Sequence, residues 1–140
     1  MTHDSGILYP IFALAAWTFA VLLTLPVARF RSAARREITI DDFRFGESAA
    51  VPGQVSVPNR NLMNLLELPV LFYVVCLLLY VTGGAPAAAL RLAWIYVALR
   101  VVHSLIHLTY NRVSHRGAVF AVSNVVLVAL WVSAGMHVAS

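Results

Sequence analysis

Residues 60–81 read RNLMNLLELPVLFYVVCLLLYV, from Arg60 to Val81. From Val70 onward the run is continuously apolar. It lacks the in-out alternation that a membrane β-strand requires, so it reads as helix. The first third of the stretch is different in kind. Arg60, Asn64 and Glu67 stand at i, i+4 and i+7, a spacing that lines one helical stripe and descends about 10 Å from the polar end. Charges in hydrocarbon cost several kcal/mol, so such a stripe marks a place where the chain has chemistry to do.

The rest of the chain supports a membrane reading. Of the 140 residues 61% are hydrophobic and 11% charged, too little polar surface to coat a soluble globule. Spans are expected at about 7–28, 61–82, 87–110 and 117–138, each near the roughly 20 residues that cross about 30 Å of hydrocarbon. The first has no basic leader before Ile7 and is followed by arginines instead of a small-residue cleavage site, so it reads as a retained span. The expectation is an all-α, four-helix transmembrane bundle forming a single integral membrane domain over residues 1–140.

Topology follows from arginine, since the chain contains no lysine. Arg29, Arg31, Arg35, Arg36, Arg44 and Arg60 fall between spans one and two, Arg112 and Arg116 between spans three and four, and Arg91 alone between spans two and three. The positive-inside bias places both arginine-rich loops in the cytoplasm and both termini outside, as in a bacterial inner membrane. The net charge of +4 is then a topology and anionic-lipid signal, with no nucleic-acid partner implied. The loop 29–60 carries Pro52, Gly53 and Pro58 as breakers, and its length fits a lid or docking loop over a cytoplasmic site. Elsewhere Thr82-Gly83-Gly84-Ala85-Pro86 and Asn111 to Arg116 are tight turns between antiparallel helices. Cys76 reads as packing, and Ser123 and Asn124 as hydrogen-bonding between helices.

A second polar stripe lies on span three, where Arg100, His103 and His107 stand at i, i+3 and i+7. Counted back from Asn111 they lie about 16, 12 and 6 Å deep, overlapping the first stripe. Glu67 is expected to meet Arg100 or His103, because an unpaired charge there is costly. A purely structural role would glue the helices together; six groups on two stripes exceed what gluing needs and indicate a wet, cationic cavity open to the cytoplasm. His103 and His107 have the i, i+4 spacing of a metal or haem pair, yet Arg100 on the same stripe repels a cation, and no metal is expected.

These residues carry a family resemblance. Arg60-Asn61-Leu62-Met63-Asn64-Leu65-Leu66-Glu67 with Pro69 resembles the Arg-x-x-x-Asn-x-x-Glu signature of the membrane-associated proteins in eicosanoid and glutathione metabolism, the MAPEG superfamily. Arg100-Val101-Val102-His103, then His107 and Arg116, is similar to its second stretch, in the manner of the bacterial-type microsomal glutathione transferases. The resemblance implies a homotrimer with glutathione as cosubstrate between subunits near the cytoplasmic face. It implies Arg60, Asn64, Glu67, Arg100, His103 and His107 as the glutathione-binding residues, and Arg116 as the catalytic residue that stabilises the thiolate. A transferase or peroxidase acting on a hydrophobic small-molecule electrophile or lipid peroxide would follow. Three positions depart from the pattern: His107 and Phe120 stand where tyrosines are common, and Gly117 where serine is. A non-catalytic trimeric binder of lipid or glutathione therefore stays open as the alternative. A small multidrug exporter fits less well, since its membrane acid usually belongs to the first span, which here has none.

Overall fold

Helix α1 (Leu8–Ala34) is entered through a 3-10 turn at Ser5–Ile7 in the computed structural model, which describes residues 5–83 and 85–139. It is followed by a 3-10 turn at Ile40–Phe43, then α2 (Gly53–Leu66), α3 (Pro69–Val81), α4 (Ala87–Leu108) and α5 (Val113–Ala139). Among the described residues, four helical segments are long and apolar enough to cross a membrane: 5–34, 53–81, 87–108 and 113–139. The chain is an all-α integral membrane protein, as its apolar runs require.

The second span is one segment made of two helices. Pro69 has no N–H to continue the α2 ladder, so the helix ends at Leu66. Glu67 N still donates to Met63 O at 3.0 Å, and bonding restarts with Val70 N to Glu67 O at 3.2 Å and Leu71 N to Leu68 O at 2.9 Å. Glu67 itself takes φ −81° and ψ −95°, outside the helical region. Pro58, by contrast, is carried inside α2 and does not interrupt it. It forfeits one bond near the helix start, where burial of Val55 to 1% exposure holds the turn.

The helices run beyond the expected spans at the arginine-rich end, leaving residues 35–52 between α1 and α2. This segment has a small core of its own, Ile38, Val51 and Val55 with Phe43 packed on it. The Asp42 carboxylate is its hub, accepting hydrogen bonds from Thr39 N at 2.7 Å, Thr39 Oγ1 at 2.9 Å and Ser48 Oγ at 2.8 Å. Gln54 Nε2 donates to Glu37 Oε2 at 2.7 Å and to Ser32 Oγ at 3.3 Å, fastening the segment to both flanking helices.

Helix α4 is the centre of the bundle, packed against α5, α1 and α2. Ala89 and Ala93, both fully buried at i, i+4, let neighbouring backbones approach closely. Phe72 of α3 stacks on Tyr96 of α4 with centroids 4.7 Å apart, beside buried Val75, Cys76 and Leu79. Gly83 at φ +107° lets α3 end in the left-handed conformation; Gly84 in the same turn lies outside the described residues. On α5, Ser123 Oγ donates to Phe120 O of its own helix at 2.8 Å, and Asn124 Oδ1 has no partner among the described residues. Among the described residues the expected interhelical bonds from Ser123 and Asn124 are not formed; the serine is satisfied by its own preceding turn.

Candidate functional site

The polar stripes converge at the arginine-rich end of the bundle, on a cleft of about 250 Å3 lined by residues of α2, the α2–α3 break, α4, the α4–α5 turn and α5. Arg60, Asn64, Glu67, His107 and Arg116 all line it, with Asn111 beside them. An adjoining cavity of about 210 Å3 is bounded by Asn64, His103, Val113, Arg116, Gly117 and Phe120. Asn64 and Arg116 are common to both, so together they form the wall between the two spaces. Two stripes read from spacing thus meet on one face, together with an arginine from a third element.

The two stripes play unequal parts. Arg100, His103 and His107 are buried to 0%, 2% and 2% exposure, whereas Arg60 and Glu67 are exposed and Asn64 is half-buried. Arg100 lies behind the cleft wall, its guanidinium 5.5 Å from the centroid of the Phe120 ring. Its Nη2 donates to the backbone carbonyl of Asn64. The expected pairing of Glu67 with Arg100 or His103 is not made, and no ion pair joins them among the described residues. The cause is the break at Pro69: Glu67 leaves helical geometry and sits on the outer lip, while Arg100 takes a carbonyl from the interrupted turn.

Arg116 is positioned by the turn that precedes it. Asn111 adopts φ +46°, a left-handed cap residue whose N–H bonds Ile106 O at 2.8 Å and closes α4. Its side-chain Oδ1 then accepts from Arg116 Nη1 at 2.7 Å, holding the guanidinium at the mouth of both spaces. The first turn of α5, with its unpaired backbone N–H groups, adds positive potential at the same place. Asn111 and Phe120 were not singled out as site residues from the sequence. An asparagine closing a helix just before an arginine was the signal for the first; the second was marked only by the family resemblance, as a departure from a common tyrosine.

A link that sequence reasoning also missed ties the stripes together. Asn61 Nδ2 donates to Ser104 Oγ at 2.6 Å, both residues fully buried, fixing α2 against α4 next to the cleft. Several donors and acceptors remain without partners among the described residues: Arg100 Nε and Nη1, His103 Nδ1 and His107 Nδ1. Arg100, with two of its nitrogens unused, lines neither cavity. Beyond the Glu67 break, an apolar groove of about 460 Å3 runs between α3 and α5, lined by Leu68, Leu71, Leu127, Val128 and Trp131.

A model of the MAPEG family matches residues 7–136, a range that takes in all four spans and every residue of the cleft. Comparison with curated proteins found no significant match, nor did comparison with solved structures.

Proposed function

The chain belongs to the MAPEG family, and from that premise we propose that it is a glutathione-dependent membrane transferase or peroxidase acting on a hydrophobic electrophile or lipid peroxide. The observation that carries the reading is the wall shared by the two cavities: Arg116 faces both, beside polar groups that suit a charged tripeptide. Glutathione has two carboxylates and an ammonium. The exposed guanidinium of Arg60 matches a carboxylate and Glu67 on the lip matches the ammonium, while Arg100 behind the wall holds the Asn64 turn that faces both cavities.

Glutathione supplies the nucleophilic sulfur; the protein supplies position and charge. Arg116, held by Asn111, lowers the cost of ionising a thiol at the cavity wall, and the first turn of α5 adds to that field. The apolar groove between α3 and α5 opens from the membrane face, which suits an acceptor dissolved in lipid. The exposed position of Glu67 suits a homotrimer in which neighbouring protomers complete the cleft. The arginine-rich end is cytoplasmic in this reading, with both termini outside, as in a bacterial inner membrane.

A second reading is favoured by one specific observation. Gly117 and Phe120 border Arg116 without a hydroxyl, and Asn111 already occupies one of its nitrogens. A protein so equipped binds glutathione or lipid without turnover. Calorimetric titration with glutathione, followed by conjugation of a chloronitrobenzene acceptor, separates the two. Binding with conjugation supports the enzyme, binding without it supports a glutathione carrier, and no binding overturns both of these and leaves the lipid binder.

A further inference from the structure

We propose that the segment 35–52 is an in-plane membrane anchor, seating Ile40 and Phe45 among lipid chains with its arginines on anionic headgroups. Helix α1 has 27 residues, about 40 Å at 1.5 Å per residue, which exceeds the hydrocarbon thickness by about 10 Å. Its last turns, with Arg29, Phe30 and Arg31, therefore lie at headgroup level. The segment is tied to that end by Glu37 N to Ser32 O at 2.9 Å and by Gln54 to Ser32. Whatever it exposes is presented at the membrane surface.

Two large apolar side chains are among what it exposes. Ile40 and Phe45 are each 93% exposed on a segment held in shape by the Asp42 hub, and Phe30 at the end of α1 is 75% exposed. Two such side chains left in water forfeit the free energy that their burial would return. An apolar slot of about 280 Å3 lies between Phe30, Ile38, Ile40 and Phe43, with Arg29 set 4.6 Å from the Phe43 ring centroid. Its size and lining suit the end of an acyl chain.

Position selects the occupant. The segment sits where α1 leaves the hydrocarbon, and the exposed Arg31, Arg35, Arg36 and Arg44 can donate to lipid phosphate although Glu37, Asp41, Asp42 and Glu47 are interspersed among them in the chain. A lid over the cleft is the other use for such a segment, but no residue of 35–52 lines the cleft. The expected lid or docking loop is thus assigned to docking, with the bilayer as its partner.

Spin-label depth measurement tests this. In a Cys76→Ala background, labels are placed on Ile40→Cys, Phe45→Cys and, as a polar-surface control, Ala49→Cys, in nanodiscs of phosphatidylcholine with and without phosphatidylglycerol. All three sites are exposed, so folding is not at stake. The ratio of oxygen to nickel-chelate accessibility should be several-fold higher at 40 and 45 than at 49, and should rise further with phosphatidylglycerol. Equal ratios at all three sites would overturn the anchor, as would dipolar broadening between labels of different copies. The double variant Ile40→Ser, Phe45→Ser should keep glutathione affinity in detergent; lost affinity would assign the segment to the cleft instead.

Discussion

Arg100 and Asn64 are joined where the second span breaks: the arginine's Nη2 donates to the asparagine's backbone carbonyl. Pro69 ends the α2 ladder, and the carbonyls before it need another donor at membrane depth. A hydrogen bond from a charged donor returns about 1.5–3 kcal/mol, while burying the charge costs at least as much. Capping alone therefore does not account for an arginine here. Arg100→Met should leave ligand-free stability within about 1–3 kcal/mol of the parent in denaturant titration. It should also weaken stabilisation by glutathione, because Asn64 on the cavity wall loses its anchor. Large destabilisation with ligand stabilisation intact would reduce Arg100 to a helix lock.

Arg116 and its holder Asn111 make a separable pair. Removing a single preorganised donor from a reacting centre costs about 10²–10³ in kcat, so Arg116→Ala should lower conjugation by that order. Glutathione Kd should change far less, and the thiolate absorbance expected on adding glutathione to the parent protein should be absent. Arg116→Lys keeps the charge without the planar fork and should fall between. Asn111→Ala should lower kcat while leaving KM nearly unchanged, since it loosens the guanidinium without touching the rest of the cradle. A KM effect alone would place Asn111 in binding.

The buried Asn61–Ser104 bond predicts a stability effect without a catalytic one. Hydrogen bonds between membrane helices average about 0.6 kcal/mol, but a buried amide left bare costs about 1–3 kcal/mol. Asn61 Oδ1 already lacks a partner among the described residues, so Ser104→Ala should fall in the upper range. Asn61→Leu with Ser104→Ala should recover part of the loss, because both polar groups are then gone. Additive losses in that double-mutant cycle would show that the 2.6 Å contact contributes nothing.

The sequence made the helices legible because lipid imposes one rule: backbone groups must pair internally, so long apolar runs become helices. The grouping of Arg60, Asn64, His107 and Arg116 was legible for a related reason, since few polar residues interrupt those runs and helical spacing orients them. What spacing alone did not reveal was the break at Glu67. Pro69 at a helix start and Pro69 as an interruption look alike in a sequence, and the difference moved Glu67 from a buried partner of Arg100 to an exposed lip. Pro58 misled in the opposite sense, a breaker by type that the first turns of α2 absorb.

Glu67 is the acid of the four spans, and its exposure separates binding from folding. Glu67→Gln keeps size and hydrogen-bonding capacity but removes the charge that would meet an ammonium. A charge-assisted bond is worth about 1.5–3 kcal/mol, so glutathione should bind at least about tenfold more weakly. Protomer stability should stay unchanged, and cross-linking should show weaker assembly of the proposed trimer. Unaltered affinity and assembly would remove Glu67 from the site.

The Asp42 hub gives the segment 35–52 a pH dependence of definite sign. The Thr39 backbone N–H, then the Ser48 and Thr39 hydroxyls, hold the carboxyl below its usual value. A depressed folded pKa means that the stabilisation is complete above the unfolded value of about 3.9 and is lost as pH falls through the folded one. A label at Phe45→Cys should keep one line shape from about pH 7 to about pH 5 and gain mobility only below about pH 4. Glu37 and Glu47 also accept hydrogen bonds here, from Gln54 and Asn59, so Asp42→Asn is the discriminating variant. It should be mobile already at neutral pH, since an amide cannot accept at both oxygen positions. A rigid label in Asp42→Asn at neutral pH would transfer the ordering of this segment to the Ile38–Val51–Val55 cluster alone.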